Sequence, residues 1–166
     1  MVVSAEDKRL SLVIQTICGT GIRVGELKYI TAEAVKNGKA IVSCKNKMRV
    51  VFIPKPIKNL LMIYINKMGI RTGPVFVTKN GKPLNRSNIW RKMKALCERA
   101  GVSKNKVFPH NLRHLFARTF YKVEKDIVRL ADLLGHSSIN TTRIYTMETG
   151  YRHIITLERV QKILTT

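Results

Sequence analysis

Hydrophobic residues recur at intervals of three and four along most of this chain, which is the spacing of a single helix face. These stretches are bounded by glycine, proline or a capping residue. They predict helices before Gly19 and over residues 23–30, 56–69, 85–99, 110–121 and 126–134, and a short helix over residues 139–145. The pattern therefore indicates a mainly helical protein.

Two short runs follow a different pattern that is rich in β-branched residues. Residues 40–44 and 49–53 are separated by a turn at 45–48, so they predict an antiparallel pair of strands. Residues 75–77, followed by Asn80-Gly81, predict one more brief hairpin. The expected fold class is mainly α (α+β), with helices around a small antiparallel β-sheet, in a single domain over residues 1–166.

The last segment, about residues 151–166, predicts a tail helix after Gly150. The segment is amphipathic, and its apolar positions are Ile154, Ile155, Leu157, Val160, Ile163 and Leu164. The sequence leaves open whether it packs on its own domain or on a neighbouring copy.

The net charge of the chain indicates which class of molecule it binds. The 166 residues include 31 Lys and Arg against 10 Asp and Glu, a formal net charge of +21, and 45% of the residues are hydrophobic. The hydrophobic share is ordinary for a globular domain, but a chain of this charge seeks polyanions. The densest basic segment, residues 79–106, has nine Lys and Arg and a single acid, Glu98. We therefore expect a surface that binds nucleic acid.

Other classes fit the sequence poorly. The longest apolar run, residues 60–65, is far shorter than the roughly 18–20 residues that cross a bilayer, and no secretory signal opens the chain. We therefore expect a cytoplasmic protein without a membrane partner. The three cysteines lack C-x-x-C spacing, and neither a phosphate-binding loop nor an obvious carboxylate trio is present, so we expect no metal and no cofactor.

The strongest candidate chemistry lies in four short motifs. His110, Arg113 and His114 stand at i, i+3 and i+4 and therefore share one face of a helix. A planar arginine beside an imidazole suits a phosphate oxygen. Arg23 follows a glycine break, and His136 follows a predicted helix end with Tyr145 nine residues later.

Along the chain the order is R-x-x-E-L at Arg23, H-x-L-R-H at His110, L-L-G-H at His136 and then Tyr145. Motifs in this order resemble the catalytic domain of the tyrosine recombinases, also called phage-type integrases. The resemblance implies double-stranded DNA as the partner and metal-free breaking and rejoining of its strands. Tyr145 would be the nucleophile that forms a 3′-phosphotyrosyl link and frees a 5′-hydroxyl. Arg23 and Arg113 would hold the non-bridging oxygens of the phosphate.

The same resemblance implies the remaining catalytic positions. His110 would transfer or share a proton near the tyrosine, and His136 would hydrogen-bond the scissile phosphate. Lys45 in the hairpin would protonate the departing 5′-oxygen, although the turn lacks the glycines of the usual G-K-G-x-K pattern and Lys47 stands close by. His114 is not a catalytic position in this match, and Glu26 is expected to support the site.

The function expected from these observations is that of a site-specific recombinase or integrase of a mobile element, forming a homo-tetramer on DNA and a monomer or weak oligomer alone. The chain starts at the first helix of the catalytic domain, so we expect an N-terminal core-binding domain to be absent from it. Two alternatives remain: DNA relaxation like that of a type IB topoisomerase, and a non-catalytic DNA-binding module. The interval between His136 and Tyr145, together with the tail, favours recombination.

Overall fold

A computed structural model describes residues 5–44, 47–78, 80–104, 107–145 and 150–164. The described elements are α1 (Ala5–Thr20), a 3-10 helix (Val24–Tyr29), α2 (Ala32–Asn37), β1 (Lys39–Cys44), β2 (Lys47–Phe52), α3 (Lys55–Met68), α4 (Arg86–Arg99), α5 (Pro109–Glu124), α6 (Ile127–Leu134), α7 (Asn140–Arg143) and α8 (Gly150–Leu164). The predicted mainly helical fold with a small antiparallel sheet is confirmed. None of these helices is both long and apolar enough to cross a membrane.

Most helix ends lie at the capping residues that the sequence indicates. The side chain of Asn85 accepts a hydrogen bond from the Asn88 amide at the start of α4, and Asp126 does the same for Arg129 at the start of α6. Gly69 ends α3 in the left-handed conformation, which glycine adopts without the steric penalty of a Cβ atom.

The structure differs from the predicted elements at the hairpin. The predicted turn at 45–48 is too long, because Lys47 pairs with Cys44 and Met48 pairs with Ser43. The second predicted hairpin is reduced to one isolated bridge between Val77 and Pro83, since proline has no amide hydrogen to continue a ladder.

Two helices also differ from the prediction. Helix α5 extends beyond residue 121 to Glu124, and α2 was not predicted. The signals for α2 are local: the Thr31 side chain accepts from the Ala34 amide, and Gly38 closes the helix at a φ of 70°. A helix of six residues is too short to show a repeating apolar face.

The two strands present different faces to the protein and to solvent. Ala40, Val42 and Val51 are buried, whereas Ile41 and Phe52 on the opposite face are exposed. The register places Arg49 directly across from Val42, on the buried face. A long cationic side chain is thereby directed into the protein.

The described hydrophobic core has two parts. The larger cluster joins α1, α2, the sheet, α3 and α4, whereas the smaller one consists of Ala117, Leu130 and Leu134 with partly buried aromatic neighbours. Helix α1 packs against α5, and α5 packs against α6. The predicted site residues lie where these two parts of the core meet.

Gly21, at the end of α1, permits this contact and gives a test of it. Its φ is 64°, and a Cβ atom there would lie 2.5 Å from the ring of Phe116. We expect Gly21→Ala to lower the free energy of unfolding by about 2 kcal/mol, through backbone strain and the clash. Gly25→Ala, where a Cβ meets nothing within 4 Å, should change it by no more than about 0.5 kcal/mol. Equal effects of the two substitutions in chemical denaturation would contradict this packing.

Candidate active site

Arg113 is the centre of the candidate site. Its side chain extends from α5, and the residue is only 3% exposed. One terminal nitrogen, Nη1, donates to the carbonyl of Gly21 at 2.6 Å. The other, Nη2, donates to the carbonyl of Leu134 at 2.5 Å and lies 3.3 Å from Nε2 of His136. A single guanidinium thus joins the end of α1 to the end of α6.

Arg23 is held by a buried carboxylate. Glu26, 4% exposed, accepts from the Arg23 amide at Oε2 and from Arg23 Nη1 at Oε1, both at 3.0 Å. Arg23 Nη2 also donates to the carbonyl of Gly135 at 3.3 Å. The R-x-x-E spacing explains this geometry, because the 3-10 helix brings Glu26 back to Arg23, the residue immediately before the helix.

His136 is oriented by a buried hydroxyl. Its Nδ1 lies 2.8 Å from Oγ1 of Thr142, which is fully buried in α7, while its Nε2 faces Arg113. Burial, followed by the charges of Arg113, Arg23 and Arg49, lowers the pKa of His136 to about 4. The imidazole is therefore neutral at physiological pH.

Tyr145 lies between two histidine rings. Its ring centroid is 5.0 Å from that of His114 in an edge-on contact, and 6.4 Å from that of His136 in a nearly parallel one. His114 in turn meets His110 at 4.2 Å. The structure therefore connects His110 to Tyr145 through His114, the histidine that the sequence motif did not mark as catalytic.

The charges of the site leave an excess of positive potential. Burial, followed by the charges of Arg23 and Arg49, lowers the pKa of Arg113 to about 10, so this side chain remains cationic at neutral pH. Among the described residues that make the hydrogen bonds above, Glu26 is the one carboxylate facing these three arginines. Such a site is arranged to receive an anion.

The phenol of Tyr145 is protonated in the free protein. Burial raises the pKa of Tyr145 above its ordinary value, and the opposing effects of Arg113, Arg23 and Arg118 do not cancel this increase. Burial also lowers the pKa of His110 and of His114, with neighbouring positive charges acting in the same direction. A neutral imidazole can accept a proton from a neighbouring group.

An open cleft of about 840 Å³ reaches this site. Its lining includes Arg23, His110 and Arg113, together with Arg86 and Trp90 of α4. Within the described ranges, no group of three His, Cys, Asp or Glu side chains is placed to hold a metal ion.

The structure brings together five of the six catalytic residues expected from the sequence: Arg23, His110, Arg113, His136 and Tyr145. Lys45 lies outside the described residues. Sequence reasoning missed Arg49 and Thr142. Arg49 could have been found as a charged residue in register with the buried positions of an alternating strand. Thr142 could have been found from its place three residues before Tyr145.

The sequence of this chain is similar to those of known proteins. The sequence profile of the Phage integrase family matches residues 2–150, which is most of the chain. The chain is 40% identical over 148 residues to the tyrosine recombinase XerH of Campylobacter jejuni, covering 83% of this chain and 41% of that protein. It is 32% identical over 156 residues to XerA of Pyrococcus furiosus, covering 90% and 54%. The chain therefore belongs to the phage integrase family, the tyrosine recombinases.

Solved structures show the same likeness. XerH bound to its difH substrate in a pre-cleavage complex superposes with a TM-score of 0.78 and 26% identity, over 100% of this chain and 50% of that one. The Tn1549 transposon integrase in complex with transposon right end DNA shares the fold, with a TM-score of 0.75 and 18% identity, over 97% and 65%. The chain spans about half the length of the curated relatives described above.

The environment of His136 predicts an unusual titration. We expect its pKa, followed by NMR of the ring protons, to lie near 4 and below the ordinary 6.5. An unfolded chain binds this proton below about pH 6.5, whereas the folded protein does not, so this group should lower stability progressively as the pH falls toward 4. The spectrum of His136→Gln assigns the signal. A pKa of 6.5 or higher for His136 would show that it is not enclosed by the arginines.

Proposed function

We propose that this protein cleaves and rejoins DNA through Tyr145 without a metal ion, as a site-specific recombinase or integrase. The observation that carries the proposal is the cationic site formed by Arg23 and Arg113, which lies beside a tyrosine ring held between two imidazoles. The basic charge of the chain and its membership of the tyrosine recombinase family support the same conclusion.

In the proposed reaction, Tyr145 Oη attacks the phosphorus of the scissile phosphodiester. A bond forms between phosphorus and the tyrosine oxygen as the bond to the 5′-oxygen breaks, leaving a 3′-phosphotyrosyl link and a 5′-hydroxyl. Reversal by a 5′-hydroxyl from another strand rejoins the DNA. The phosphotyrosyl link retains the energy of the original bond, so neither step needs a nucleotide cofactor.

Arg23 and Arg113 stabilise the charge that develops on the non-bridging oxygens. The Arg113 guanidinium is held by two carbonyls and the Arg23 guanidinium by Glu26, so both are ordered before DNA binds. Donors fixed in this way need little reorganisation when the transition state forms. Lysine could not replace either, because a single ammonium lacks the planar set of donors.

Tyr145 must lose its proton for the attack. At its reference pKa near 10, only about one phenol in a thousand is ionised at neutral pH, and burial makes that fraction smaller here. His110 is proposed to accept or share this proton through His114, whose ring contacts both His110 and Tyr145. Burial lowers the pKa of His110, which keeps it neutral and able to accept a proton.

His136 and Lys45 act on the phosphate and on the leaving group. In the free protein Nε2 of His136 faces Arg113, which can only donate, so Nε2 accepts and Nδ1 donates to the Thr142 hydroxyl. When a phosphate oxygen replaces the contact with Arg113 and Thr142 donates to Nδ1, Nε2 carries the proton and can donate to that oxygen. Lys45 is proposed to protonate the departing 5′-oxygen.

A covalent trap tests this chemistry. We expect the protein, incubated with EDTA and a pool of nicked duplex DNA and then denatured, to carry covalently attached DNA. Tyr145→Phe should abolish the adduct because the attacking oxygen is lost, whereas Tyr121→Phe, which removes a hydroxyl from another tyrosine of the smaller cluster, should retain it. An adduct that persists in Tyr145→Phe, or one that appears only with added metal, would overturn the proposed mechanism. A plasmid relaxation assay separates recombination from topoisomerase activity.

The tail helix is the proposed contact between subunits. Ile154, Leu157, Val160 and Ile163 of α8 recur at intervals of three residues and are all exposed in the single chain, so these side chains do not pack in cis. We propose that they pack on a neighbouring copy in a tetramer on DNA. Docking of the tail on that copy would hold Tyr145 in or out of the site.

Substitutions on the tail test this assignment. Leu157→Ser combined with Ile163→Ser should weaken assembly on duplex DNA, because the apolar contact is lost, and should change the rate of adduct formation. Glu158→Ser and Arg159→Ser, on exposed polar positions of the same helix, should leave both unchanged. Mass measurement of the protein–DNA complexes by light scattering distinguishes the cases. Unchanged assembly and unchanged cleavage in the double variant would contradict the proposed role of the tail helix.

A further inference from the structure

Arg49 reaches the active site from the sheet. Its side chain is 12% exposed, and Nη2 lies 2.6 Å from Oε2 of Glu26. Its Nη1 donates to the carbonyl of Leu133 at 2.9 Å. One planar group therefore connects β2 to the 3-10 helix and to the last turn of α6.

The turn at Gly135 is built around this arginine. Gly135 adopts the left-handed conformation at a φ of 61°, and a Cβ atom there would lie 2.2 Å from Cδ of Arg49. The residue after this glycine is His136. On the other side, the Gly135 carbonyl accepts from Arg23. Two arginines thus contact the turn that presents His136.

Glu26 links the two arginines. Its Oε2 receives both the Arg49 guanidinium and the Arg23 amide, and its Oε1 receives the Arg23 guanidinium. Because Arg49 fixes the carboxylate, it also fixes the backbone and the side chain of Arg23. Lysine at position 49 could reach one of these acceptors but could not span two with a planar pair of donors.

Both terminal nitrogens of Arg49 already donate to acceptors within the protein, the Glu26 carboxylate and the Leu133 carbonyl. Arg49 is therefore placed to act through other side chains. Arg49 also belongs to the strand that follows residues 45–46, so it anchors the hairpin of the expected catalytic lysine to the same turn. The resemblance to recombinases assigned Arg49 no function.

We propose that Arg49 is a positioning residue that aligns Arg23 and His136 on a common phosphate by holding Glu26 and the Gly135 turn in one arrangement. This inference rests on the proposed function for its effect on cleavage. Its structural part stands on the free protein alone, so two independent measurements test it.

Hydrogen exchange of the free protein tests the placement. The Gly135 amide bonds to Asp132 and the His136 amide to Ala131. We expect Arg49→Met to speed exchange at these two amides by about tenfold or more relative to amides of α2, because the turn loses its support. Arg49→Lys should have a smaller effect. Arg129→Met, which removes the same charge from an exposed pair with Glu124, should have none. Unchanged exchange at Gly135 and His136 in Arg49→Met would overturn the inference.

Cleavage tests the function. In the EDTA trap on nicked duplex DNA, Arg49→Met should form adduct at least about tenfold more slowly, since small misplacements of reacting groups are costly. Its affinity for the same DNA should stay within about twofold of that of Arg129→Met at equal salt. Arg49→Lys should recover part of the rate. A parallel loss of affinity and rate would make Arg49 a DNA-binding residue and would contradict the positioning assignment.

The variant that removes both partners adds a further criterion. If Arg49 acts through Glu26, the two substitutions should not act independently. The fold-loss in adduct-forming rate of the double variant, Arg49→Met with Glu26→Gln, should then be smaller than the product of the fold-losses of the two single variants. Independent, multiplying losses would contradict the coupling. Should Arg49→Met not fold, Arg49→Lys and Glu26→Gln still decide the question. If the unsubstituted protein forms no adduct, the proposed function fails separately, and hydrogen exchange alone decides the inference.

Discussion

The carboxylate of Glu26 compensates for much of the positive charge of the site. Arg23, Arg49 and Arg113 lie close enough to perturb one another, and a buried charge is tolerated only when it is paired and hydrogen-bonded. Glu26 meets this condition for two of the arginines, while Arg113 is satisfied by backbone carbonyls. Burial alone would raise the pKa of Glu26, but the Arg23 amide and the charges of Arg49 and Arg23 outweigh it, and the net effect is a lowered pKa. The carboxylate therefore remains ionised.

Local signals in the sequence account for most of the fold. Proline, glycine and capping residues fix where helices begin and end, because each acts through its own backbone geometry or a bond to a nearby amide. The pattern of apolar residues did not predict α2, whose six residues bury only Ala32 and Val35. It also did not predict the length of the hairpin strands, because the register extends the ladder to Cys44 and Lys47. Strand ends depend on pairing across the sheet, which the residues of one strand do not determine.

The site was predictable where its residues form compact motifs. Arg113 and the histidines of α5 share a helix face that spacing alone reveals, and Glu26 follows Arg23 by three residues. Arg49 and Thr142 belong to no such motif, because their partners come together only when β2, α6 and α7 pack. His114 lies within a motif, yet its contact with Tyr145 depends on where α7 ends. Long-range geometry of this kind is decided by tertiary structure.

The division of the core has a consequence for the motion of Tyr145. Tyr145 packs with the small cluster of Ala117, Leu130 and Leu134, whereas the 3-10 helix that follows Arg23 packs on the large one. Separating the few side chains of the small cluster exposes much less apolar surface than unfolding the large one. Local opening of the small cluster can therefore move Tyr145 while Arg23 and Glu26 keep their support. Tyr145 and Arg23, on which the proposed reaction depends, thus rest on parts of the core that differ in local stability.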